Sequence, residues 1–178
     1  MDPGRSDPRT IHLYRPQNQL GDLLLNVPAI RSIRERFPRA RVTLIVGRQN
    51  AAAVTGQRWA DAIRVVDTRN FVGVARSGLR GLRDARPDLS IYFTTVSYSR
   101  SAGMLARWSR ARERVGFDAA HYGEPDAARL TRAIPYPAEA LHQSDVSLLL
   151  ARAAGAGARP DPPYYVPDAA LRDRAPEG

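Results

Sequence analysis

The stretch Arg15-Pro16-Gln17-Asn18-Gln19-Leu20-Gly21-Asp22, continuing into Leu23-Leu24-Leu25-Asn26-Val27-Pro28-Ala29-Ile30, decides how this chain folds. An apolar run from Thr10 to Tyr14 precedes it and reads as a β-strand. After it, Leu23, Val27, Ile30, Ile33 and Phe37 recur at helical spacing on one face. A polar loop with one glycine and one carboxylate therefore sits where a first strand hands over to a first helix. In open α/β sheets, ligands bind outside the carboxyl ends of the strands, and a helix N-terminus at that edge favours negative charge. Asp22 has two readings here. Its carboxylate can accept a proton from a bound ligand, or it can cap the helix by accepting from an exposed backbone N–H. Asn26 competes for the capping role, which would leave Pro28 just inside the first turn.

Working outward, strand-like and helix-like segments alternate. Residues 42–46 form a β-branched run ending at Gly47, and 50–62 is helix-like, with Asn50 as a cap ahead of an alanine run. Residues 63–67 read as a third strand, 72–86 as a helix and 89–93 as a fourth strand. A helix over 100–111 leads into a fifth strand at 114–117. Beyond a loop at 118–125, a short strand falls within 130–137 and a helix over 143–154. This alternation predicts an α/β fold, an open parallel sheet with helices on both faces. Residues 1–9 read as a disordered lead, 10–155 as one domain, and the proline- and glycine-rich 156–178 as a linker.

Composition bounds the function classes. The 178 residues suffice for one domain with a proper core, and 43% hydrophobic with 25% charged residues is the balance of a soluble globular chain. No apolar run approaches the ~20 residues that span a bilayer, and the N-terminus has no apolar signal core. Cysteine is absent, which excludes a disulfide framework, a thiolate metal site and a cysteine nucleophile. A cytoplasmic location is the expectation. The net charge of +9 comes from 27 basic residues that are all arginine. It lacks the clustered basic tail and interleaved aromatics of a dedicated nucleic-acid binder, so no nucleic-acid partner is expected.

Several segments in order carry a family resemblance. Gly21-Asp22 in a strand–loop–helix setting, with Pro28 following, resembles the N-terminus of the heptosyltransferase-like glycosyltransferases, family 9. Residues 40–47 resemble the family's second strand. Arg100-Ser101-Ala102 followed by Arg114-Val115-Gly116-Phe117 is similar to its Arg-Ser-Ala and Arg-Ile-Gly-Phe segment. Leu141-His142 running into residues 148–155 resembles the last helix of its N-terminal domain. The resemblance covers residues 10 to 155. It implies a Rossmann-like domain, the N-terminal, acceptor-binding half of a GT-B glycosyltransferase. It also implies an inverting, metal-independent sugar transfer from a nucleotide-sugar such as ADP-heptose, used as substrate, with no cofactor. The acceptor would be a lipopolysaccharide-type, lipid-linked or other glycan at the inner face of the cytoplasmic membrane. The family's donor-site motifs lie in a C-terminal domain with no counterpart in these residues, so the chain alone is expected to be incomplete and weakly active or inactive. A non-catalytic α/β binding module derived from the same fold is the alternative.

By this resemblance Asp22 is the general base. Gln17, Asn18 and Gln19 offer amides to sugar hydroxyls, and Gly21 permits either an unusual backbone conformation or close approach of a sugar. The loop after the fourth strand opens on the same edge, so Ser97, Ser99 and Arg100 join the candidate substrate-binding set. Arg100 would clamp a phosphate or carboxylate on the acceptor. Two departures from the family stand out: its small hydroxyl residues ahead of Gly-Asp are amides here, and its Asp-Leu-Gln-Gly strand end is Tyr92-Phe93-Thr94-Thr95. His12, His121 and His142 show no metal-ligand spacing; His12 reads as buried in the first strand and His142 as a cap or packing residue. No dinucleotide or phosphate-loop motif occurs, and Ser97 and Ser101 lie in no nucleophile elbow.

Overall fold

Six short strands lie side by side in parallel, in the order β3-β2-β1-β4-β5-β6. They are β1 (Thr10–Arg15), β2 (Arg41–Gly47), β3 (Ala62–Val66), β4 (Leu89–Tyr92), β5 (Glu113–Phe117) and β6 (Arg132–Ile134). The helices are α1 (Leu20–Arg36), α2 (Ala51–Val54), α3 (Arg100–Trp108) and α4 (Gln143–Ala153), with 3-10 turns at Arg48–Asn50 and Ala119–Tyr122. The structure is a computed structural model, and it describes residues 6–67, 73, 75, 86–95, 98–126 and 128–157. The expected helix over 72–86 lies outside the described residues except at Gly73 and Ala75, which are helical, and at Arg86, which is not. Most of the expected linker, residues 158–178, also lies outside them.

The period-two alternation of the strands builds two different faces. Ile11 and Leu13 of β1, Val42 and Leu44 of β2 and Ile91 of β4 point to one side, all fully buried. There they meet Leu23, Val27, Ile30 and Ile33 of α1 and Val146 and Leu150 of α4 in one core. The apolar face read from the sequence of α1 is the face that packs. On the other side Tyr14, Ile45 and Tyr92 pack with Ala102 and Leu105 of α3, and Tyr14 stacks on Tyr92 with centroids 5.2 Å apart. Helices thus cover both faces, which gives the α/β, Rossmann-like sheet expected.

Three elements differ from the sequence reading. The helix expected over 50–62 is a 3-10 turn and a single α-turn, because Thr55 leaves in an extended conformation and Gly56 turns at φ 81°. Asn50 caps nothing; it is 1% exposed and its amide is used elsewhere. Pro28 lies in the interior of α1 rather than in its first turn. A proline there cannot donate to the carbonyl four residues back, and the next carbonyl, of Leu25, accepts from Ser147 Oγ of α4 at 3.1 Å. His142 is the N-cap of α4, its Nδ1 facing Ser144 Oγ at 2.7 Å, and His12 is buried in β1.

Two carboxylates clasp the amino edge of the sheet. Asp61 accepts from the Val42 N–H and from Arg34, both at 2.7 Å. Asp88 accepts from the Arg9 N–H at 2.9 Å and from the Thr10 N–H and hydroxyl at 3.1 Å, joining the starts of β1 and β4. Burial alone would raise the Asp88 carboxyl, but these hydrogen bonds and Arg112 outweigh it and hold its pKa below the ordinary value. Its contribution is therefore complete above the unfolded-state pKa and disappears as pH falls through the folded one. Asp88→Asn is predicted to cost about 1 kcal/mol at neutral pH. It should also flatten the stability–pH profile below about pH 4, as measured by urea unfolding across pH.

Candidate functional site

The carboxyl end of β1 carries a charge into the protein interior. Arg15, the last residue of the strand, is 2% exposed. Its Nη2 donates to Asp22 Oδ2 at 2.9 Å. Asp22 lies in the first turn of α1 with its side chain 25% exposed. Burial lowers the pKa of the Arg15 guanidinium, while the charge of Asp22 and its hydrogen bond act in the opposite direction. The pair sits where the strand order reverses, between β1 and its neighbour β4, the position at which open α/β sheets form their ligand crevice.

This geometry removes the capping reading of Asp22. The N-cap of α1 is Gln19, in an extended conformation with no side-chain cap bond. Asn26 does not cap either; its amide donates inside the helix to the Asp22 carbonyl at 2.6 Å. With Oδ2 committed to Arg15, Asp22 Oδ1 has no protein partner among the described residues.

The loop between β1 and α1 is drawn down onto the end of β2. Asn50 Nδ2 donates to the Gln17 carbonyl at 2.9 Å. Asn18 rests on Gly47, where a Cβ atom would collide with Asn18 Oδ1 and lie 2.5 Å from the Pro16 carbonyl oxygen. As a result both polar atoms of the Gln17 amide, and Asn18 Oδ1, are buried without hydrogen-bond partners among the described residues. The sequence pictured an open row of three amides. In the fold only Gln19 is exposed, and Gln17 and Asn18 turn inward. Gly21 is exposed within α1, is absent from the positive-φ glycines, and a Cβ there would meet nothing within 4 Å. Its conformational reading is therefore corrected; the open space beside it remains.

The loop after β4 opens on the same edge, tied to β1 by the Phe93 N–H donating to the Tyr14 carbonyl at 3.1 Å. Ser97 lies outside the described residues. Ser99 is a helix cap, its Oγ accepting from the Ala102 N–H at 3.2 Å. Arg100 pairs with Glu124, Nε to Oε2 at 2.7 Å, with its side chain 68% exposed. The Thr94 carbonyl accepts from the Tyr122 hydroxyl and the Thr95 carbonyl from Tyr136 at 2.8 Å. Burial, then Tyr136, raises the Tyr122 phenol well above its ordinary value against the opposing pull of the Thr94 hydrogen bond, so it remains a donor.

Sequence reasoning missed Arg15, Gly47, Asn50, Tyr122 and Tyr136 as parts of this edge. Only Arg15 left a signal, a cation closing an otherwise apolar strand. A cavity of ≈ 250 Å³ lined by Phe37, Leu89, Glu113, Arg132 and Arg152 lies at the amino ends of β4 to β6, the opposite edge from Asp22. Strand polarity, rather than cavity depth, assigns the site to the carboxyl edge.

Two stability measurements check this construction. Asp22→Ala leaves the Arg15 charge buried and unpaired and is predicted to cost about 3 kcal/mol, whereas Arg15→Met with Asp22→Leu recovers most of it. Gly47→Ala should cost about 1–3 kcal/mol through the clash with the 16–18 loop, read as a lower urea midpoint with an unchanged m-value.

No protein-family model matches the sequence, and no curated protein sequence matches it. Solved structures do. The glycosyl transferase family 9 protein from Veillonella parvula superposes with a TM-score of 0.74 at 15% identity, over 90% of this chain and 45% of that one. E. coli heptosyltransferase WaaC with ADP gives 0.63 at 16% identity, over 86% and 49%. E. coli ADP-heptose lps heptosyltransferase II gives 0.58 at 12% identity, over 90% and 46%. The chain spans about half the length of these structures, and what it shares with their N-terminal part is the fold of family 9 glycosyltransferases.

Proposed function

We propose that this chain is the acceptor-binding half, residues 10–155, of an inverting, metal-independent glycosyltransferase. It would transfer a sugar, a heptose in the reading its neighbours favour, from a nucleotide-sugar to a lipopolysaccharide-type or other glycan acceptor. The observation that carries this is the Arg15–Asp22 pair at the strand-order switch point. Arg15 holds Oδ2, which orients the carboxylate and leaves Oδ1 without a protein donor among the described residues. As the acceptor oxygen attacks the anomeric carbon, its proton passes to Asp22, the new C–O bond forms on one face of the sugar, and the bond to the nucleotide phosphate breaks on the other. Arg15 acts through Asp22 and is a positioning residue.

The E. coli neighbours were solved with ADP and with ADP-2-deoxy-2-fluoro heptose, which supports an ADP-sugar as donor. In this reading the donor is held by a second domain facing the same edge. Arg100 exchanges Glu124 for an acceptor phosphate or carboxylate. The protein works in the cytoplasm, against the inner face of the cytoplasmic membrane; no described helix is long and apolar enough to cross a membrane.

Asp22→Asn tests the reading, with sugar transfer measured in the protein that carries this chain together with a donor-binding domain. Loss of at least about 10²-fold in kcat with acceptor binding retained is the expected result. Turnover close to the parent would exclude Asp22 as base. The isolated chain is expected to bind acceptor without efficient turnover; robust transfer by it alone would overturn the half-site reading.

A further inference from the structure

The carboxyl edge also carries a bank of aromatic rings that the chemistry at Asp22 does not use. His121, in the 3-10 turn after β5, lies parallel to Tyr136, with centroids 4.0 Å apart and planes at 5°. Tyr122 meets His121 edge-on at 4.7 Å and 82°. Tyr122 and Tyr136 are 6.0 Å apart. These three separations make a nearly right-angled triangle with His121 at its corner, so Tyr122 stands beside the imidazole and not over it. One face of His121 therefore rests on Tyr136. The opposite face has no aromatic neighbour among the described residues, and His121 is exposed.

The tyrosine hydroxyls of this bank are committed. Tyr122 and Tyr136 donate to the Thr94 and Thr95 carbonyls, which fixes their rings and, through stacking, supports the imidazole. Glu124, three residues beyond His121, pairs with Arg100, with side chains 29% and 68% exposed. A fixed ring face attracts weakly positive C–H groups, and charged donors and acceptors bind hydroxyls. A pyranose ring presents both surfaces at once.

We propose that the outer face of His121, backed by Tyr136 and with Arg100 and Glu124 as its polar partners, is a platform for one sugar ring. β5 stands two strands from β1 in the sheet, about 10 Å away. The platform thus serves a sugar unit other than the one whose hydroxyl reaches Asp22, and it selects acceptors that extend across the sheet edge. That assignment to the acceptor rests on the glycosyltransferase reading; the platform itself does not.

NMR titration of the chain tests it, following the His121 and Tyr136 ring signals. The probes are methyl α-mannopyranoside and methyl β-glucopyranoside, with sorbitol as an acyclic polyol control and AMP as a flat aromatic competitor. Saturable shifts at both rings with a methyl glycoside, at about millimolar Kd, and none with sorbitol, are expected. His121→Ala should weaken binding about fivefold, and His121→Phe should retain it. Asp22→Asn should titrate like the parent, so loss of the base and loss of the platform are read separately. Shifts confined to residues 16–22, equal shifts with sorbitol, no shift at His121, or AMP binding in place of the glycosides would each overturn the proposal.

Discussion

Strand β1 is hydrogen-bonded on both edges, to β2 and to β4, and every side chain from Ile11 to Arg15 is buried. Such a strand has no solvated flank on which to place a charge, yet it ends in a guanidinium. Leaving that cation unpaired costs several kcal/mol in an interior position, and Asp22 supplies the anion from the first turn of the next helix. The pair fixes where α1 begins relative to the sheet. The intervening loop has little freedom left, since Asn50 and Gly47 hold it from the β2 side. One electrostatic requirement thereby orients a carboxylate at the switch point.

The two edges of the sheet divide the remaining work. At the amino edge, Asp61 and Asp88 satisfy strand N–H groups that the ladder leaves open, and arginines join them. That edge is closed by its own hydrogen bonds even where it encloses the ≈ 250 Å³ cavity. The carboxyl edge is built differently. Tyrosine hydroxyls hold the loop carbonyls after β4, leaving a carboxylate, a surface ion pair and an imidazole face directed outward. The loops of this edge also reach the core, through Phe93 and through Tyr122 and Tyr136 packed against it.

Much of the fold was legible because burial repeats with the period of each element. Leu23, Val27, Ile30 and Ile33 announced both the helix and its buried face, and all four are fully buried. Short β-branched runs announced the strands. Local signals failed where a long-range contact overrode them. Asn50 has the residue type of a cap, but its amide goes to the Gln17 carbonyl, 33 residues away in sequence. Asp22 likewise has the type and place of a cap, and a buried arginine draws its carboxylate away. Gln17 and Asn18 read as solvent-facing amides until the end of β2 pulls them inward.

The sequence by itself determined the class of fold, the alternation of strand and helix, and the edge on which Gly21-Asp22 sits. Each follows from periodicity and from the polarity of a strand–loop–helix unit, which are local properties. Only the tertiary structure decided that Asp22 faces Arg15, that Arg100 faces Glu124, and that His121 stacks on Tyr136. The last two pairings depend on the sheet order, which sets β5 beside β4 and β6 beside β5. No run of neighbouring residues encodes that order; it emerges when the strands bury their faces together.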